Sequence, residues 1–336
     1  MFTNIKSGGD RMKVVIAGGS GHIGTLLGSG FASRGVEVVI LSRQRRPPAP
    51  SPLRTVWWDG VSIGDWQRQI DGSDVVINLA GRSVNCRYTP AARQEILQSR
   101  VRSTRAIGDA IARCARPPRL WLQASTATIY SHRFDGPNDE YTGTLGGAES
   151  NAPSAWHFST DVARAWESAL NEAPVPHTRK VVMRSAMTMG PEAGGVFDTL
   201  ACLTRRGLGG RAGNGHQFVS WIHEHDFVAA ISFLIDRDDL SGVVNIASPN
   251  PLPNAEFMRV LREACGVRLG IPASRWMLEV GAAVMQTETE LILKSRRVKP
   301  ARLLDHGFCF AYPEWREAAR ELCNRWLRLR ELPRVA

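Results

Sequence analysis

The residues with the clearest chemical meaning form a glycine-rich stretch near the start of the chain. Residues 13–24 read KVVIAGGSGHIG, an apolar β-branched run followed by four glycines and then by apolar residues at helical spacing. Glycine permits a tight turn and close approach of a ligand, and a helix N-terminus offers free N–H groups. This order predicts a site for a dinucleotide, and a glycine turn of another α/β protein is the alternative. The expected contacts are Gly18, Gly19, Ser20, Gly21, His22, Ile23 and Gly24.

The end of the second predicted strand indicates which dinucleotide is bound. A site that prefers NAD places Asp or Glu about 20 residues beyond the glycines, where it holds the ribose 2′-hydroxyl. Here Ser42 and Arg43 follow a strand predicted over 36–41, and a guanidinium beside a hydroxyl suits a 2′-phosphate. These residues therefore favour NADP over NAD. Arg45 and Arg46 fit a solvated loop better, an interpretation that is weaker for Arg43.

Further candidates stand where later predicted strands end, because doubly wound sheets place their sites at the carboxyl ends of strands. A side chain after the third strand could reach the adenine, and small residues after the fourth would let the backbone lie against the cofactor. These positions are Asp59 for the third strand and Leu79, Ala80 and Gly81 for the fourth. Ser125 and Tyr130 follow the fifth strand, predicted over 120–124, and are the candidates for catalysis.

The elements that must position these residues predict an α/β fold. Continuous apolar strands alternate with helical patterns, which indicates a Rossmann-like doubly wound parallel sheet with a smaller, mostly helical C-terminal substrate region. A chain of 336 residues is long enough for one large domain with an appendage. We expect a frayed extension over 1–11, an NADP-binding domain over 12–250 and a small C-terminal domain over 251–336.

Composition limits the partners and the compartment. The net charge is +10, but the basic residues are spread along the chain, so nucleic acid is not expected as a partner. No apolar run reaches the length of a membrane span, and six scattered cysteines without a CxxC pair favour reduced thiols in the cytoplasm. We expect a small-molecule substrate and leave a homodimer open. Metal is not expected at the run His223-Glu224-His225, because neighbouring strand residues point to opposite faces.

Several longer strings occur in an order that resembles a known family. They are GGSGHIG, NLAG, QSRVRSTR, ASTATIY, RRGLGGRAGNG and SWIHEHD, with VKPARLLDHGFCFAYP near the C-terminus. The chain resembles the atypical short-chain dehydrogenase/reductases of the NAD-dependent epimerase/dehydratase-like family, which carry a small C-terminal domain of unknown function. The resemblance implies an NADP-type cofactor and adds Glu95, Arg100 and Thr188 to its expected contacts.

The resemblance is weakest at catalysis. The wider superfamily uses serine, tyrosine and lysine, the last two spaced YxxxK, and the lysine lowers the pKa of the tyrosine. None of the four tyrosines here has that lysine, and Ser159 and Ala163 stand where the pair would fall. One hypothesis is an NADP(H)-dependent oxidoreductase or epimerase-like enzyme on a carbonyl or hydroxyl substrate, a sugar nucleotide being one option. Tyr130 would then donate the proton and Ser125 would orient the substrate oxygen. The alternative is a non-catalytic NADP-binding sensor or scaffold.

Overall fold

Seven segments of four to seven residues, most of them rich in apolar side chains, form one central parallel sheet. The computed structural model describes residues 11–44, 53–150, 152–153, 156–284 and 288–331. The strands are β1 (Lys13–Ala17), β2 (Glu37–Ser42), β3 (Arg54–Trp57), β4 (Val75–Asn78), β5 (Leu120–Thr126), β6 (Arg179–Ser185), β7 (Met187–Met189), β8 (Phe218–Val219), β9 (Trp221–His223), β10 (Gly242–Ile246) and β11 (Leu252–Pro253). Seven of them pair in the order β3-β2-β1-β4-β5-β6-β10, all parallel. The strand order reverses direction between β1 and β4, which is where such sheets bind ligands.

Helices cover both faces of this sheet. They are α1 (His22–Ala32), α2 (Pro90–Ala112), α3 (His157–Asn171), α4 (Val196–Leu203), α5 (Glu224–Asp236), α6 (Asn254–Ala264), α7 (Arg275–Val284), α8 (Glu290–Leu293), α9 (Ala301–Asp305) and α10 (Trp315–Glu331). Val14 and Ile16 of β1 pack toward α1 and α5, whereas Val15 packs toward α2. Because β1 is buried on both faces, its apolar run shows no alternation.

A separate core fills the C-terminal region. It is built from α4, β9, α6 and α10. Trp315 of α10 stacks on Phe257 of α6 with ring centroids 4.1 Å apart, and Trp221 lies 4.9 Å from the same indole. Between α8 and α9 the chain passes against the large domain. There the backbone of Asn138 exchanges hydrogen bonds with Arg297 and Lys299. This contact brings C-terminal residues to the carboxyl edge of the sheet.

The predicted fold class is confirmed. The run 217–222, which is apolar enough for one strand, is divided between β8 and β9, which belong to two different small sheets. The predicted domain limits stay a prediction, and residues 1–10, Arg45 and Arg46 lie outside the described residues. In the part of the chain that the structure describes, no helix is both long and apolar enough to cross a membrane.

Replacing Gly24 by alanine should destabilise the fold. A Cβ at Gly24 would lie 2.3 Å from the Cα of Gly19, so backbone would have to move against backbone. We expect a loss of about 2 kcal/mol in the free energy of unfolding, measured by urea denaturation. Gly281→Ala is the matched control, because the Cβ there meets no described atom within 4 Å and alanine favours helix. Equal stability of the two variants would contradict the prediction.

Candidate functional site

The glycine turn between β1 and α1 forms an open cradle. Gly18 has φ +74°, and a Cβ there would lie 2.8 Å from the backbone of Ala80, two residues after β4 ends. A Cβ at Gly21 would meet only the Gly18 carbonyl, at 3.6 Å. Gly21 is the N-cap of α1, and no described side chain caps this helix. The first N–H groups of α1, at His22 and Ile23, are therefore available to an anionic ligand.

The residues predicted to select the dinucleotide lie beside this cradle. The hydroxyl of Ser42 donates to Ser20 Oγ at 3.1 Å and accepts from the Gln44 N–H, which fixes the exit of β2 against the glycine turn. Arg43 is exposed there. The carboxylate of Asp59 accepts from two backbone N–H groups of the following turn, so part of its hydrogen-bonding capacity holds local structure. The adenine contact of Asp59 stays a prediction.

Other predicted cofactor residues hold the segment after β4 in place. The Arg100 guanidinium donates to the carbonyl of Arg82 at 2.9 Å and lies 4.9 Å from the Trp166 ring. Burial lowers the pKa of Arg100 to about 10. Glu95 pairs with Arg82. The backbone of Leu79, Ala80 and Gly81 is thereby supported from the side of α2, while Thr188 lies elsewhere, on β7.

The two predicted catalytic residues are buried and already bonded. Ser125 donates to Glu167 at 2.6 Å, and Glu167 also pairs with Arg184 at 2.8 Å. The Tyr130 hydroxyl donates to Asn245 Oδ1 at 3.0 Å, and only 2% of this tyrosine is exposed. Burial raises the pKa of Tyr130. Their catalytic roles stay a prediction that this burial disfavours.

A second polar chain, missed by sequence reasoning, joins the large domain to the C-terminal segment. Ser159, in the first turn of α3, donates to Glu290 at 2.6 Å and is also hydrogen-bonded to the Tyr88 hydroxyl. Lys294 lies 3.7 Å from Glu290 and donates to the Thr128 carbonyl. The position of Ser159 was recognisable by analogy, but Glu290 and Lys294 stand more than 130 residues away. We call Tyr88, Ser159, Glu290 and Lys294 the tyrosine–lysine chain.

Burial changes the titration of each ionisable member of this chain. It raises the pKa of Tyr88 to about 12, and the negative charge of Glu290 acts in the same direction. It also raises the pKa of Glu290 and lowers that of Lys294. The Tyr88 hydroxyl therefore keeps its proton at neutral pH, and in the free protein it is a weaker acid than an ordinary tyrosine.

A cavity of about 210 Å³ opens beside Leu293, the neighbour of Lys294. Its other lining residues are His132, Phe134, Pro153, Trp156, Gly213, Asn214 and Gln217. The glycine-rich loop of 205–215 therefore supplies part of a cavity wall. Aromatic surfaces with a few polar groups are typical of small-molecule pockets.

Two carboxylates face each other close to the cofactor cradle. Side-chain atoms of His22, Glu192 and Glu224 all lie within 4.8 Å of one another. Arg325 of α10 lies 2.6 Å from Glu224 and 3.7 Å from Glu192. Burial raises the pKa of Glu224 to about 7, and Glu192 adds to this shift. In contrast, His223 bonds to Glu321, so the run His223-Glu224-His225 does not converge on one point.

Replacing Glu224 by glutamine should flatten the dependence of stability on pH. In the unfolded chain this pKa is about 4.5. Because the folded pKa is higher, the stabilisation is present below pH about 4.5 and is lost as the pH rises through about 7. We expect the free energy of unfolding of the native protein to fall by roughly 1–3 kcal/mol between pH 5 and pH 8, measured by urea denaturation.

The glutamine variant keeps His22, Glu192, Glu321 and Arg325 but cannot ionise at position 224, so its slope should be smaller. Glu317→Gln, an exposed change on α10, is the control that should retain the native slope. Parallel profiles for the native protein and the Glu224 variant would contradict the prediction.

Relatives align with this chain over nearly its whole length. The epimerase family protein SDR39U1 of Homo sapiens is 30% identical over 315 residues, covering 93% of this chain and 99% of the relative. The epimerase family protein YfhF of Bacillus subtilis is 28% identical over 311 residues, covering 93% and 98%. The crystal structure of the human protein (isoform 2) with NADPH superposes with a TM-score of 0.80, at 30% identity, over 93% of this chain and 99% of that one.

A more distant likeness concerns the fold alone. UDP-N-acetylglucosamine 4-epimerase from Bacillus cereus has a TM-score of 0.71 at 18% identity, covering 97% of this chain and 99% of that chain.

A domain of unknown function matches residues 273–322. The NAD dependent epimerase/dehydratase family matches residues 14–247, which include every strand of the central sheet except the first residue of β1. The chain therefore belongs to the NAD dependent epimerase/dehydratase family.

Proposed function

We propose that the protein is a cytoplasmic NADP(H)-dependent oxidoreductase or epimerase-like enzyme that acts on a carbonyl or hydroxyl group of a small molecule. Family membership supports a nicotinamide dinucleotide, and the human relative was solved with NADPH. The observation that carries the proposal is the tyrosine–lysine chain, because its half-buried phenol, hydrogen-bonded to Ser159, stands at the carboxyl edge of the central sheet.

The residues of the cradle fit the cofactor. The uncapped N-terminus of α1 would hold the diphosphate, and Arg43 would face the 2′-phosphate. The backbone of Leu79 and Ala80 would lie along the dinucleotide, because it packs directly against the glycine turn at Gly18. When bound, the nicotinamide ring gives or accepts a hydride.

We assign the proton to Tyr88. Its hydroxyl donates to the substrate oxygen when a carbonyl is reduced, and the phenolate then takes a proton back from water. Ser159, which donates to Glu290 and is hydrogen-bonded to Tyr88, holds the phenol in position, and Lys294 lies beside the Glu290 carboxylate. We place the substrate in the cavity beside Leu293, whose volume would then limit its size.

Replacing Arg43 by alanine should reduce the preference for NADPH. Loss of a guanidinium–phosphate contact costs about 1.5 kcal/mol, so the Kd for NADPH should rise roughly tenfold while that for NADH changes little. Titration of both cofactors against tryptophan fluorescence measures the two constants. Arg105→Ala removes an exposed arginine on α2 and should change neither constant. Equal affinity of the unchanged protein for NADPH and NADH would refute the 2′-phosphate assignment.

Replacing Tyr88 by phenylalanine should abolish most of the turnover. Nicotinamide absorbance is first followed with a panel of small carbonyl compounds and UDP-sugars to find a substrate. Loss of a general acid lowers kcat by about 10²- to 10⁴-fold. The Kd for NADPH should stay unchanged, since the cradle is intact.

Tyr130→Phe is the matched comparison in the same assay. It should leave kcat near the native value but lower stability by about 1–3 kcal/mol, because Asn245 loses its buried donor. If Tyr130→Phe abolished turnover and Tyr88→Phe did not, the proton would belong to Tyr130. Tight NADPH binding with no turnover across the panel would favour the sensor or scaffold hypothesis.

A further inference from the structure

Two cysteines far apart in the chain meet inside the C-terminal core. Cys265 ends α6 and Cys323 lies in the middle of α10, and their sulfur atoms are 2.9 Å apart. Both are buried, with 6% of Cys265 and 0% of Cys323 exposed. Phe257, Leu261 and Trp315 pack around them, so the two helices are held firmly at this point.

We infer that Cys265 and Cys323 are a peroxide-sensitive thiol pair that forms a disulfide joining α6 to α10. A disulfide bond is about 2.05 Å long, so the sulfur atoms need to approach by less than about 1 Å. Two helices already in contact can make that adjustment through their side chains. The bond would close a loop of the chain that contains α7, α8 and α9.

The oxidation consumes one hydrogen peroxide for each disulfide. The Cys265 thiolate attacks a peroxide oxygen, the O–O bond breaks, and Cys265 becomes a sulfenic acid while water leaves. The Cys323 sulfur then attacks the Cys265 sulfur, the S–O bond breaks and a second water leaves. The two thiols lose two electrons and two protons, and the peroxide is reduced to two waters.

Exposure assigns these two roles. The thiols are hydrogen-bonded to each other, and either of them can be the donor, so each can stabilise the thiolate of the other. Cys265 is 6% exposed and Cys323 is fully buried, so a small oxidant reaches Cys265 first. Cys265 therefore forms the sulfenic acid, and Cys323 resolves it.

The disulfide bears on the site through the segment that it encloses. Glu290 and Lys294 lie within the closed loop, and Arg325, which contacts Glu192 and Glu224, follows Cys323 by two residues. Closing a loop of this length removes conformations of the unfolded chain, which stabilises the folded state. Oxidation should therefore raise the free energy of unfolding of the C-terminal region that carries these contacts.

The full chain treated with hydrogen peroxide provides the test. After treatment, free thiols are alkylated under denaturing conditions and the protein is digested for mass spectrometry. We expect a cross-linked pair of peptides carrying Cys265 and Cys323, two fewer alkylated thiols, reversal by dithiothreitol, and a Tm that rises by several degrees. The exposed Cys309 serves as an internal measure of the peroxide dose.

Variants separate this pair from other thiol reactions. In Cys323→Ala the cross-link should disappear, and a sulfenic acid at Cys265 should become trappable by dimedone, whereas Cys309→Ser should retain the cross-link. Full alkylation of Cys265 and Cys323 at a dose that consumes Cys309 would overturn the inference, and so would pairing of either one with another cysteine. The peptide map of the unchanged protein decides the matter even if Cys323→Ala fails to fold.

Discussion

Contact of backbone against backbone at the carboxyl edge of β1 and β4 is the constraint on which the rest of the structure depends. Gly18 meets Ala80, and Gly24 meets Gly19, at distances that leave no room for a side chain. These contacts bring the start of α1 down to the edge of the sheet and keep its N–H groups uncovered. The hydrogen bond between Ser42 and Ser20 then aligns the exit of β2 with the same opening.

The second requirement is electrostatic. Glu290 and Lys294 are 3% and 2% exposed, and isolated buried charges would be costly. Each finds partners in the large domain, Glu290 in Ser159 and Lys294 in the Thr128 carbonyl. The C-terminal segment therefore depends on the large domain for solvation of its charges, and the large domain depends on that segment to complete the polar chain at its edge.

The sequence allowed the sheet, the glycine turn and the edge positions to be predicted, because buried parallel strands and glycines leave local patterns. It did not allow the partners to be predicted. His223 caps α5, whereas Asp226 in the first turn of that helix accepts hydrogen bonds from the backbone of Ala311 and Tyr312, 85 and 86 residues away. Tyr130 stood at a strand end, yet Asn245, 115 residues away, occupies its hydroxyl. Such long-range pairings leave no periodic pattern and no motif in the sequence, so they could not be predicted from it.

The contact of residues 297–299 with Asn138 also limits which parts of the gene could be exchanged between relatives. Its hydrogen bonds with Arg297 and Lys299 knit the C-terminal segment into the loop that follows β5. A hybrid gene that exchanged only the C-terminal part between relatives would have to preserve these hydrogen bonds and the buried charges of Glu290 and Lys294. An exchange of one part alone would lose these contacts unless the other part matched it, although each part has its own apolar core.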